Sequence, residues 1–360
     1  MKIFAAFVFT ATLAGTACAD AAKDCLADLE SIPAFLLAND AGGRDSWDRQ
    51  GRKHFDEALA RARTAVAKIE DPAACTVELR AYLKAWRAGH LGVREMSKAD
   101  TPAVRQETPP RVEWPSAQTA VLVLPSFGAN WRQPIADLLE KNHDELARHP
   151  FWIVDVRGNG GGSDDVYAPV MQWIGPPIRV ETQVDYFVTA ANIDATRRMC
   201  PLLMTGDELC EQAMKQERER MQSAPLGGWI LQQPGPVLMD VRQEDIEPAR
   251  PTKVAILVDG DCVSSCEEFL LSARQSFSVK LVGQRSRGAL DYSNMRPHEL
   301  PSGQRMLMYT VTRSHRIPGM PVDGIGVVPD VYIPAEQAEG AALIAAVRRW
   351  LEGGGLVSTP

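Results

Sequence analysis

Four short apolar runs constrain this chain most: Ala120-Val-Leu-Val-Leu124, Phe151-Trp-Ile-Val-Asp-Val156, Val254-Ala-Ile-Leu-Val258 and Val279-Lys-Leu-Val282. A run of this length with no polar face is what a strand buried in a sheet requires. Pro134 to Arg148 and Ser264 to Ser276 carry helical patterns between them. Strands alternating with helices predict an α/β layer architecture.

The chain has 360 residues, enough for two domains or one large domain with appendages. Apolar residues make up 45% and charged residues 24%, the proportions of a folded globular chain. Asp and Glu total 46 against 39 Lys and Arg, giving a net charge of −7. An acidic chain without a basic cluster predicts no nucleic-acid partner and no anionic membrane surface. No apolar run reaches the roughly 20 residues of a membrane-spanning helix.

Lys2 precedes an uncharged apolar stretch, Ile3 to Ala17, and then Ala17-Cys18-Ala19. This pattern reads as a secretory signal over residues 1–19, cut after Ala19. An anchor helix and lipid attachment at Cys18 are the competing readings. The first lacks length, and the second lacks a large aliphatic residue in Gly15-Thr16-Ala17. Export, to a bacterial periplasm or the medium, would leave six cysteines in an oxidising compartment, where an even number points to disulfides. Proximity favours Cys25–Cys75, Cys200–Cys210 and Cys262–Cys266, with free buried thiols as the other reading.

Residues 20–96 read as a helical module. Ala58, Leu59, Ala62, Ala65, Val66 and Ile69 follow a helical period, Leu79, Leu83 and Trp86 repeat it, and Asp71-Pro72 breaks the run between them. Residues 97–117, with four prolines, read as a linker. The core is expected over 118–345, with an irregular insertion at 178–250 that contains a charged helix near Asp207 to Met221.

Two segments carry candidate chemistry. Arg157-Gly158-Asn159-Gly160-Gly161-Gly162 follows a strand, and its glycines let backbone N–H groups face a phosphate or an oxyanion. Ser163 stands where a dinucleotide fingerprint wants its third glycine, and no Gly-Lys-Ser/Thr follows, so phosphate binding has little support. A plain glycine turn remains open. In Asp261-Cys-Val-Ser-Ser-Cys-Glu-Glu-Phe269, Ser264 between a strand and a helix reads as a nucleophile. On this segment alone the N-cap of a capping box closed by Glu267 is the stronger reading.

Together these segments resemble the tail-specific (C-terminal-processing) serine protease family. The Arg-Gly-Asn-Gly-Gly-type turn is matched by Asp155 to Gly162. Thr-x-Ser-x-x-Glu is matched by Cys262 to Glu267, and Gly-Glu-x-Thr-x-Gly by Gly283 to Gly288. Acid–Gly–x–Gly–Val–x–Pro–Asp is matched by Asp323 to Asp330, and a short His-containing segment by Ala88 to Gly92. The resemblance spans about residues 88 to 335. It implies a ClpP/crotonase-like core of stacked strand–helix units and Ser264 as nucleophile. Departures accompany it. The lysine base of the processing branch, 25 residues after the serine, is Ala289 here. The Ser-His pair of the tricorn branch falls on Val121-Leu122-Val123-Leu124. A tricorn glutamate is Asp323, and residues 97–117 are too short for a PDZ domain.

A serine hydroxyl needs a neighbouring base. His90, Asp291 and Asp323 are the candidates, and His90 has the best-matched intrinsic pKa. His54, His143, His149, His298 and His315 have no motif support. The expectation is an exported serine endopeptidase acting on peptide or protein substrates through an acyl-enzyme on Ser264, without a cofactor. Asp323 or His90 would assist proton transfer, and Gly160, Gly161 and Ser265 would hold the oxyanion. A relative that binds peptides without turnover is the alternative.

Overall fold

A computed structural model describes residues 13–96, 108–176, 178–180, 182–203, 206–232, 239–241, 251–337 and 340–353. The first twelve residues of the expected signal, residues 97–107 of the expected linker and parts of the expected insertion (181, 204–205, 233–238, 242–250) lie outside them. The chain divides into two compact units.

The first unit joins Met1–Asp100 with Phe187–Trp229 and Asn294–Val311. Its N-terminal part is helical, with helices Leu13–Asn39, Gly43–Gln50, Arg52–Val66 and Pro72–Leu83. Pro72 is tolerated because it sits in the first turn, where its missing N–H has no partner to lose, and Asp71 caps Ala73 N. Leu79, Leu83 and Trp86 are buried as their period requires. The Cys25 and Cys75 sulfurs stand 2.04 Å apart, at bonding distance between the first and fourth helices. Helices Ala190–Leu203 and Glu208–Gln222 meet at Cys200 and Cys210, with sulfurs 2.06 Å apart. Strand Gly92–Glu95 pairs antiparallel with residues 305–308. Three buried ion pairs knit the unit: Asp28–Arg305, Asp40–Arg87 and Glu217–Arg296. Asp28 and Arg305 are 277 residues apart in sequence.

The second unit is built on a six-stranded sheet. Its order is Val331–Tyr332, Val279–Gly283, Lys253–Val258, Phe151–Asp155, Thr119–Val123, Arg111–Glu113. All neighbours are parallel except the last pair. Burial on both faces explains the continuous apolar runs. Val121, Ile153, Ala255, Leu257 and Val282 point to one face, against Leu343, Val347 and Leu351 of helix Gly340–Gly353. Ala120, Leu122, Trp152, Val154 and Ile256 point to the other, against Ile135, Leu139, Val166, Val170, Phe269 and Leu270.

Three readings differ from the structure. Arg111–Glu113, inside the expected linker, is an antiparallel edge strand, and three residues with charged ends show no recognisable period. The segment expected to be irregular holds the expected charged helix, as Glu208–Gln222, but also a second helix, Ala190–Leu203, and four short strands. Its strands are three or four residues long, too short for a pattern. The expected helix from Pro134 to Arg148 is two helices, Arg132–Lys141 and His143–Arg148, meeting at Asn142.

Candidate active site

Strand Lys253–Val258 leads through a turn to Ser264, the N-cap of helix Ser265–Ala273. Ser264 has φ 62° and ψ −125°, a backbone conformation that costs a non-glycine residue about 1–3 kcal/mol. Such a residue stays there only when its surroundings over-determine it. Cys262 and Cys266 flank the serine, both fully buried, with sulfurs 2.04 Å apart. Arg287 N donates to Cys262 O at 2.9 Å, and Glu267 Oε2 accepts the Ser264 N–H at 3.1 Å.

The glycine-rich turn packs directly on this segment. A Cβ at Gly161, whose φ is +82°, would stand 2.4 Å from Val263 O and 2.9 Å from Ser264 Cβ, so only glycine allows the approach. Asn159 fastens the turn from inside. Its Nδ2 donates to Leu124 O and its Oδ1 accepts from Gly161 N, both at 2.9 Å. The Gly161 N–H is thereby committed. Among the described residues, the Gly160 and Ser265 N–H groups have no acceptor. Ser265 is the first residue of its helix, where the backbone N–H has no intrahelical partner and the helix dipole favours negative charge.

Glu267 is completely buried. Besides Ser264 N, its carboxylate accepts from Ser286 Oγ at 2.5 Å, Gly288 N at 2.7 Å and Ala289 N at 2.8 Å. Ser286 Oγ in turn accepts from Val327 N at 2.7 Å. Leu290 and Asp291 donate their backbone N–H groups to Asp323 Oδ1, at 2.5 and 2.8 Å. Asp291 Oδ2 returns the arrangement by accepting from Val322 N at 2.6 Å and Asp323 N at 2.8 Å. Arg316 lies between Glu268 Oε2, at 2.8 Å, and Asp291 Oδ1, at 3.8 Å. A cavity of about 860 Å³ opens at the carboxyl ends of the parallel strands, with Asp155, Arg157, Asp259 and Asp261 in its wall.

Ser264, Ser265, Gly160, Gly161 and Asp323 therefore all belong to the second unit. His90 belongs to the first, where its carbonyl accepts from Arg87 Nη2 at 3.1 Å. Among the described residues, no histidine, lysine or carboxylate is hydrogen-bonded to the Ser264 hydroxyl.

The model of the family described as Peptidase family S41 matches residues 118–333, more than half of the chain. The chain belongs to peptidase family S41. No curated protein sequence matches it. Among solved structures it is similar to an alanine variant of CPAF, with TM-score 0.63, 11% identity, and coverage of 94% of this chain and 100% of that one. Mature CPAF gives TM-score 0.57, 11% identity, 94% and 99%. A lipoprotein from Streptococcus agalactiae gives TM-score 0.53, 13% identity, 92% and 96%. At such identities these likenesses speak to the fold.

Membership makes this a serine-type peptidase whose partner is a peptide or protein substrate. Among the described residues, no helix is long and apolar enough to cross a membrane. The S41 match covers both the Ser264 segment and the glycine turn, which the structure packs together. Three residues of the site escaped the sequence reading. Glu267 appears there as a helix cap and as the end of the Thr-x-Ser-x-x-Glu match, with no role of its own, although its carboxylate reaches 22 residues ahead, to Ala289. Asn159 and Ser286 are internal fasteners, and each reaches a distant backbone atom, Leu124 O and Val327 N. The available signal was that all three stand inside the matched family segments, beside glycine turns.

Proposed function

We propose that this S41 peptidase is an exported endopeptidase that cleaves through an acyl-enzyme on Ser264. The observation that carries the reading is the strained, over-determined backbone of Ser264 at a helix N-terminus, against a glycine turn. Ser264 Oγ attacks the scissile carbonyl carbon and gives up its proton. The tetrahedral oxyanion accepts from Ser265 N–H and Gly160 N–H, while Gly161 spaces the turn. Asp323 or His90 assists proton transfer, first from the serine and then to the leaving amine. Water then hydrolyses the ester. The export reading rests on residues 1–19 and on the three cysteine pairs at bonding distance.

A fluorophosphonate probe tests the assignment. Stoichiometric labelling at Ser264 in the parent, abolished in Ser264→Ala with the fold intact, is the expected result; turnover unchanged in Ser264→Ala refutes it. Loss of a nucleophile removes several orders of magnitude in rate. In His90→Asn and Asp323→Asn, the pH–rate profile reports which group sets the base limb. A mature N-terminus at Asp20 tests export. The second reading is a peptide-binding relative without turnover. It is favoured by Ala289 at the lysine position and by the absence, among the described residues, of a base hydrogen-bonded to Ser264. A folded parent that never labels would select it.

A further inference from the structure

We propose that Glu267 is a positioning residue that sets the nucleophile and the Asp323 segment in register with each other. The proposal rests on Ser264 and Asp323 acting as stated above. A helix cap would need one hydrogen bond, from the Ser264 N–H to the Glu267 carboxylate. This carboxylate makes four and is completely buried. Its oxygens divide the work. Oε2 takes Ser264 N and Ala289 N, tying the strained turn to the strand-to-loop segment after Gly283. Oε1 takes Ser286 Oγ and Gly288 N.

From there the connection continues without a gap to Asp323. Ser286 Oγ holds Val327 N, and Gly288 O accepts from Gly324 N at 2.9 Å. A Cβ at Gly288 would lie 2.8 to 2.9 Å from Gly326 N, Val322 O and Gly324 N, so the two loops touch backbone to backbone. Leu290 N and Asp291 N then close on Asp323 Oδ1. One side chain thus couples the serine turn to the loop that carries the candidate acid. The same carboxylate fixes the helix start at which the Ser265 N–H is presented. Oxyanion donors and nucleophile act only within narrow geometric limits, so loosening this hub lowers rate without removing a reacting group.

Substitutions have unequal consequences because the donors are unequal. A glutamine can keep its oxygen on Ser264 N and Ala289 N and turn its amide toward Ser286 Oγ, losing only the Gly288 bond. Alanine leaves all four buried donors without their acceptor. Two readouts in the full oxidised chain test this. One is the pH profile of fluorophosphonate labelling at Ser264. The other is hydrogen exchange of the peptides covering 260–270, 284–291 and 322–328. For Glu267→Gln the expected result is labelling within tenfold of the parent. For Glu267→Ala it is a loss of at least 100-fold with the midpoint of the pH profile unmoved. Faster exchange should appear in the three peptides together. Glu267→Ala labelling within threefold of the parent overturns the proposal. So does an equal loss in both variants with a displaced pH midpoint, because Glu267 would then be a titrating base. If Glu267→Ala fails to fold, Glu267→Gln decides through exchange: acceleration confined to 284–291 supports the flipped amide, and unchanged exchange refutes the hub. A folded parent that does not label overturns the Ser264 reading instead, and the exchange pattern still decides the coupling.

Discussion

The pair Cys262–Cys266 brackets the strained serine, and removing it gives a test with a calculable size. A bridge across five residues limits the unfolded chain far less than one across a long loop; the chain-entropy relation gives about 2 kcal/mol. The strain at Ser264 is of the same order, about 1–3 kcal/mol. Replacing both cysteines with alanine should therefore leave a folded chain whose serine turn relaxes. Each 1.4 kcal/mol is tenfold in population, so about 2 kcal/mol sets a ceiling of about 30-fold on the loss of the competent conformer. The assay compares the fluorophosphonate labelling rate with the urea midpoint for parent and Cys262→Ala/Cys266→Ala. Labelling measured well below the urea midpoint should fall between a few-fold and about 30-fold, while the midpoint itself drops by the equivalent of about 2 kcal/mol. Mild reduction of the parent should act in the same direction before global unfolding. Labelling within twofold of the parent, or a loss that only tracks unfolding, would refute the idea that the bridge holds the turn.

Cys25→Ala/Cys75→Ala should lose more, about 4 kcal/mol of unfolding free energy, because the bridge closes a loop with a sequence separation of 50; denaturant titration checks it. Gly161→Ala should fold but lose labelling at least 100-fold, since its Cβ has no room beside Val263 O; parent-like labelling would show that the turn can yield. His298 gives a pH dependence. Burial, and secondarily Arg198, lowers its pKa from 6.5 to about 4. Between those values the unfolded chain holds a proton that the folded chain refuses, so stability falls as pH drops through that window. Urea midpoints at pH 7 and 4.5 should differ less in His298→Gln than in the parent.

The inner strands of the sheet were legible because burial on both faces leaves an uninterrupted apolar run. The nucleophile segment was legible because a strand, a turn and a serine before a helix lie within a dozen residues. What was not legible depends on distance along the chain. Asp28, Glu217, Arg296 and Arg305 look like surface charges until their partners arrive from elsewhere in the sequence. Residues 294–311 pack with the N-terminal helices, and neither their composition nor their period announces it. Glu267 was read as an ordinary cap because a capping box satisfies the local pattern; its other three bonds lie 19 to 22 residues away.

The Asp28–Arg305 pair has a consequence for biosynthesis. Asp28 emerges early from the ribosome, yet the cation that neutralises it in the interior is made 277 residues later. Strand Gly92–Glu95 likewise waits for residues 305–308. At about 5–20 residues per second, the helical module spends upward of ten seconds with a charged side chain and a strand edge uncovered. The first unit therefore cannot be completed until residues 294–311 have been made, late in synthesis.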